Sequence, residues 1–230
     1  MFGIDGSVMT IGLLLVLTFG FVMDGYAVFL RVAGAQGLGE VLAMANLVQY
    51  IARISNVLVI FVLSFAFETG RLSSNVALIF LLASALGLVF TFALVRFRGF
   101  CDLVTNILRP VLHLSFRSIA RNYVWRQVGF PRAKSLKLVL VSACTNALIV
   151  FAMYVPFGIA SYYPEMRMTS VYFGQLINFF ATLVVFSVQD PISMRLVDSG
   201  QFDDVGSSLI YGRVISYACG ILVFALILAI

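Results

Sequence analysis

The sequence predicts an all-α fold, a polytopic membrane bundle of about six transmembrane helices with a basic amphipathic cytoplasmic segment between the third and the fourth. Three observations carry this. Of the 230 residues, 62% are hydrophobic and 11% charged, against about 25% charged in a soluble domain, so the chain has too little polar surface to coat a water-soluble fold. Six apolar stretches reach the roughly 20 residues that cross a hydrocarbon core about 30 Å thick. Runs such as Ile79, Phe80, Leu81 and Leu82 are apolar on every face, whereas a lipid-facing barrel strand alternates.

The spans fall at about 8–31, 41–67, 76–95, 138–160, 171–195 and 209–230, and the whole chain is one transmembrane domain. The first is read as a span and not as a signal peptide, because residues 1–7 carry no base and include Asp5. The third and fourth contain no charge. Cys101, Cys144 and Cys219 form no metal-ligand pair and read as small apolar filler. No metal, cofactor or nucleic-acid partner is expected.

Segment 96–137 carries nine of the fifteen bases and a single acid, Asp102, which places it in the cytoplasm and both chain termini outside. Phe100, Leu103, Val104, Ile107, Leu108, Val111 and Leu112 follow helical spacing, with Asp102, Asn106, Arg109 and His113 largely opposite. That pattern predicts an amphipathic helix in the interface, kinked or restarted at Pro110, with anionic lipids as partners of its bases.

Ionisable groups inside a span are costly and face a partner or a wet cavity. Arg53 lies about 20 Å into the second span. Asn46, Gln49, Arg53 and Asn56 are spaced by three, four and three, so they share one helix face. Four polar groups in line around a charge favour a wet interior face over interhelical hydrogen bonding. In the fifth span Gln175, Asn178 and Thr182 repeat the pattern, Gln189 returns to that face, and Asp190-Pro191 follows. Proline there reads either as a broken helix beside an acid, a common way to build a membrane binding site, or as the helix end. Asp24 in the first span lies two turns from Arg31 and is expected to pair with Arg53 across helices. Two acids, Asp24 and Asp190, against one arginine leave a net charge of minus one, which a proton on one acid at rest would cancel. Arg213 reads as a snorkelling residue near the start of the sixth span. Gly212, Ser216 and Gly220 form a small-residue series that either packs within the bundle or joins a second copy as a homodimer.

No phosphate loop or nucleophile motif is present, so a transmembrane path for something polar is the stronger class and an enzyme the weaker. The assembled residues resemble a family. Asp24, followed seven residues on by Arg31 and then by Val32, Ala33 and Gly34, is similar to the first-span signature of the Amj-type lipid II flippases of bacteria. Asn46, Arg53 and Asn56 keep that family's spacing of seven and three, and Asp190-Pro191 is a third match. The chain departs from the pattern at Ala52, where the family has serine, and in a shorter loop at 35–40. The resemblance implies a multi-pass protein of the bacterial cytoplasmic membrane. Its cargo would be lipid II, a disaccharide-pentapeptide on undecaprenyl pyrophosphate, moved from the inner to the outer leaflet for peptidoglycan synthesis. It implies Arg53 as the pyrophosphate partner, Asn46, Gln49, Asn56, Gln175 and Asn178 as hydrogen-bonding groups for sugar and peptide, and Asp24, Arg31 and Asp190 as charged residues of the same site. A carrier for another polyprenyl phosphate lipid and a non-transporting membrane scaffold are the alternatives. An open groove along the Arg53 stripe favours a carrier, and a dry, fully paired one favours a scaffold.

Overall fold

Long apolar segments in lipid have no water to satisfy their N–H and C=O groups, so they close their hydrogen bonds internally as helix. The structure, a computed structural model, describes residues 6–34, 39–68, 76–115 and 135–229. Its helices are α1 (Gly6–Gly34), α2 (Gly39–Glu68), α3 (Val76–Arg96), α4 (Arg98–Ser115), α5 (Leu136–Tyr162), α6 (Arg167–Val184), α7 (Asp190–Asp198) and α8 (Phe202–Ala229). A short 3-10 turn (Pro164–Met166) precedes α6, and a π turn (Val185–Gln189) joins α6 to α7 without a break. Among the described residues six helices are long and apolar enough to cross a membrane: α1, α2, α3, α5, the continuous α6–α7 rod and α8. No strand occurs among the described residues.

α1 lies at the centre, against α2, α3 and α8, and α5 packs on α8 and α6. One core cluster gathers Tyr26, Leu30, Val48, Leu94 and Leu209. A second gathers Leu17, Phe21, Leu63, Phe80 and Phe224. In lipid the hydrophobic effect does not drive helices together, so close packing through small residues does. The Gly212 series is used in this way inside the chain. A Cβ on Gly212 would stand 2.5 Å from Ser142 Cβ of α5, one on Gly220 would stand 3.2 Å from Ser84 Oγ of α3, and Ser216 is buried. This stripe is therefore occupied by α3 and α5 and is not a free face for a second copy.

α4 is the expected amphipathic helix, and its apolar face also packs on the bundle. Phe100, Val104 and Leu108, four residues apart, turn into the bundle: Val104 and Leu108 are buried, and Phe100 stacks on Phe90 of α3 with centroids 5.5 Å apart. Leu103 and Ile107 stay exposed. The apolar face is wide enough to serve both the bundle and the surroundings. Pro110 is accommodated within the helix and does not start a new one. Residues 116–134, with five of the nine bases of the basic segment, lie outside the described residues.

Charge asymmetry sets the expected orientation. In a chain stripped of Cys101, Cys144 and Cys219, a single cysteine placed within 96–137 is expected to react with an impermeant maleimide only from the cytoplasmic side, and one within 68–75 only from outside. Labelling of both from one face would overturn the six-span topology.

α5 and α6 meet at one tight point. Pro156 lies inside α5 and lacks the N–H that would bond to Ala152 O. A Cβ on Gly174 of α6 would stand 2.6 Å from that carbonyl and 2.5 Å from Pro156 Cγ. Gly174→Ala is expected to force the two helices apart and lower stability by about 1–3 kcal/mol, read from thermal unfolding in detergent. Gly12→Ala is the control, since nothing lies within 4 Å of its added Cβ. Equal behaviour of the two variants would remove the close approach.

Candidate functional site

Two of the polar stripes face one another. A cavity of about 330 Å³ lies between α2 and the α5–α6 pair, with α1 and Tyr217 of α8 behind it. α2 supplies Gln49, Arg53 and Asn56 as one wall, because their three-four spacing holds them on one face. α6 supplies Gln175, Asn178 and Thr182 as the other, for the same reason. Thr182 Oγ1 donates back to Asn178 O at 2.8 Å, which leaves both Asn178 side-chain atoms to the cavity. Gly20 and Asp24 of α1 and Asn146 of α5 complete the polar lining, among apolar side chains such as Val57, Met153 and Val171. Arg53, Gln175 and Asn178 are exposed although they line the space, so it is open on the side between α2 and α6.

Arg53 is not where the expected ion pair would put it. Its guanidinium carbon stands 6.0 Å from the centroid of the exposed Tyr50 ring, one turn earlier on α2. This is the outer limit of a cation–π contact. Among the described residues it makes no salt bridge. Asp24 instead pairs with Arg213, Oδ2 to Nη2 at 2.8 Å. The reason is depth. α8 begins at Phe202, several residues before the expected start, because Asp204, Ser207 and Ser208 are buried in its first turns. That sets Arg213 eleven residues in, about 16 Å from the helix end. Asp24 is ten residues from the end of α1, about 15 Å. The two charges meet at the same level between adjacent helices, and Arg213, only 6% exposed, does not snorkel. Arg213 gives Asp24 the counter-ion that the expected charge count left out.

Asp190-Pro191 does not end the helix, nor does it open a gap. The Asp190 N–H reaches Val185 O, the wider bond of a π turn, and the chain passes the missing proline donor and continues to Asp198. Such turns recur at functional sites. The wide turn also shifts the helical phase. Gln189 therefore leaves the Gln175 face and lines a second, smaller chamber of about 20 Å³ with Asp24, Gln49, Ser142, Thr145, Asn146 and Arg213. Asp190 is partly buried, makes contacts of its own and stands outside the described lining of both chambers. Arg31 and Asn46 lie in α1 and α2, but their side chains fall outside the described residues.

Two site residues escape a reading by charge and stripe. Asn146 joins both chambers, its Nδ2 donating to Ser142 O at 2.9 Å. Its signal was an amide with Ser142 and Thr145 on one face of the uncharged fourth span. Arg213 was legible as a charge but was placed too near the helix end.

Chemically the site offers one exposed planar cation, several amides and an opening beside apolar faces. That suits an anion with a hydroxyl- or amide-rich attachment. No family model matches the chain, and no curated protein or solved structure matches it either.

Proposed function

We propose that this chain carries a polyprenyl-phosphate-linked lipid across the bilayer, with lipid II, passing from the inner to the outer leaflet of the bacterial cytoplasmic membrane, as its cargo. The observation that carries the reading is the meeting of two polar stripes across one open cavity with Arg53 between them, making no salt bridge among the described residues while Asp24 of the same cavity is taken up by Arg213. A scaffold would pair off such a charge, because an unpaired one in hydrocarbon is costly. A carrier keeps it for a headgroup. A guanidinium offers the donor fork that fits a phosphate. Gln49, Asn56, Gln175 and Asn178 supply hydrogen bonds for sugar and peptide. The polyprenyl tail stays in lipid along the exposed apolar faces beside the opening, Val57 and Phe61 on α2 and Leu176 and Phe180 on α6. No bond is made or broken in this process, and it calls for no cofactor. The bases of 96–137 hold the protein to anionic lipid. The order of Asp24, Arg31, Asn46, Arg53, Asn56 and Asp190-Pro191 supports lipid II through the resemblance to Amj-type flippases.

Size supports a second reading. Pockets for drug-sized ligands run about 300–1,000 Å³, and at about 330 Å³ this one takes a pyrophosphate and an adjoining sugar. A disaccharide-pentapeptide would extend through the opening, whereas the phosphate headgroup of undecaprenyl phosphate would be housed entirely. Full-length protein in vesicles, with fluorescent lipid II or fluorescent undecaprenyl phosphate and an impermeant quencher, separates the two. Movement of lipid II is expected. Movement of undecaprenyl phosphate alone would replace the cargo, and movement of neither would end the carrier reading.

A further inference from the structure

Arg213 has more donors than Asp24 uses. Arg213 is 6% exposed, and its Nη2 meets the carboxylate at 2.8 Å, yet Nε and Nη1 find no hydrogen-bond partner among the described residues. A buried cation with two idle donor nitrogens is costly unless something accepts from them. Asp24 lines both chambers, while Arg213 lines only the smaller. The carboxylate therefore stands between the guanidinium and the larger cavity. Asp24 is also the more accessible partner, its side chain 26% exposed against 7% for Arg213.

We propose that Arg213 is a second anion-binding residue, masked by Asp24, and that a phosphate or pyrophosphate group entering past Arg53 displaces the Asp24 carboxylate from Nη2 and binds the fork that Nη2–H makes with a neighbouring idle N–H. This rests on the carrier reading and deepens it. Arg53 captures the anion at the opening and Arg213 holds it at depth. Asp24 acts as a built-in competitor that returns when the anion leaves. A carrier gains from such exchange, since an anion held by two unopposed arginines would not be released. Arg213 stays neutralised through the swap, because one anionic oxygen replaces another, while the site as a whole gains the charge of the anion and Asp24 turns to the larger cavity that it also lines.

The test is binding of farnesyl pyrophosphate and, separately, inorganic pyrophosphate to the full chain in nanodiscs. Arg213→Lys keeps the ion pair with Asp24 but removes the planar fork, so pyrophosphate affinity is expected to fall about tenfold while thermal stability changes little. Asp24→Asn removes the competitor and keeps an acceptor for Nη2, so affinity is expected to rise about tenfold and exchange to slow. Arg213→Gln in the Asp24→Asn background should cancel that rise. A gain with both probes assigns the site to the anion alone, and a gain only with farnesyl pyrophosphate assigns it to an isoprenyl lipid; either supports the masked site. Unchanged affinity in Arg213→Lys, or a gain in Asp24→Asn that survives Arg213→Gln, would reduce the pair to a staple between α1 and α8. If Asp24→Asn does not insert, Arg213→Lys decides the matter alone. Arg53→Ala distinguishes the two levels. Wild-type affinity in that variant would remove Arg53 from the carrier reading and leave the Arg213 comparison intact.

Discussion

Arg53→Ala is expected to abolish lipid transport while leaving insertion and fold intact. The side chain is exposed to the cavity and pairs with no carboxylate among the described residues, so its removal strands no opposite charge. Its loss to the folded state is the weak contact with Tyr50, about 0.5–1 kcal/mol. Stability is therefore expected to hold or improve. Transport should fall by at least about a hundredfold, because a charge-assisted, two-pronged phosphate contact is worth about 1.5–3 kcal/mol per bond. Arg53→Lys keeps the charge without the fork and should recover only part of the rate. The measurement is vesicle transport of fluorescent lipid II, alongside growth of cells depleted of their main flippase. Full activity in Arg53→Ala would remove the arginine from the site.

The largest expected loss of stability is that of Asp24→Ala. It leaves Arg213 buried with no counter-ion, and breaking a buried pair from one side costs about 3–5 kcal/mol. The reverse deletion, Arg213→Ala, should cost clearly less, because the stranded Asp24 is 26% exposed while Arg213 is 7% exposed, and water can reach the carboxylate. Replacing both by neutral residues of similar size should cost less than Asp24→Ala alone. Unfolding in detergent, followed by circular dichroism, measures all three. Equal losses in the two single variants would mean that the pair is equally solvated on both sides.

Much of this architecture was legible because its signals are periodic. Twenty apolar residues in a row admit little but a spanning helix, and the six spans lie close to the six long helices. The walls of the cavity were legible for the same reason: Gln49, Arg53 and Asn56, and Gln175, Asn178 and Thr182, announce themselves by three-four spacing in apolar surroundings. Partners across helices carry no such signal. Asp24 was matched to the wrong arginine because a sequence gives depth along a helix and not its neighbours. The depth of Arg213 was itself misjudged, since Asp204, Ser207 and Ser208 fall before the expected start of the span at 209, yet the bundle buries them. A proline marks a disturbance, but whether the helix stops, gaps or widens depends on whether a longer bond closes around it. Here the bond from Asp190 to Val185 does.

That wide turn has a consequence for how such chains are to be compared. A π turn is an α-helix holding one residue too many. A chain with the same bundle but a regular helix at this place would be one residue shorter between Thr182 and Pro191. Matched position by position without a gap, the two would agree along Gln175, Asn178 and Thr182 and fall out of step at Asp190-Pro191, so that the acid of one would stand opposite a neighbour of the acid in the other. Counting residues across that turn therefore understates kinship, whereas counting the phase of the helix on either side of it preserves the correspondence.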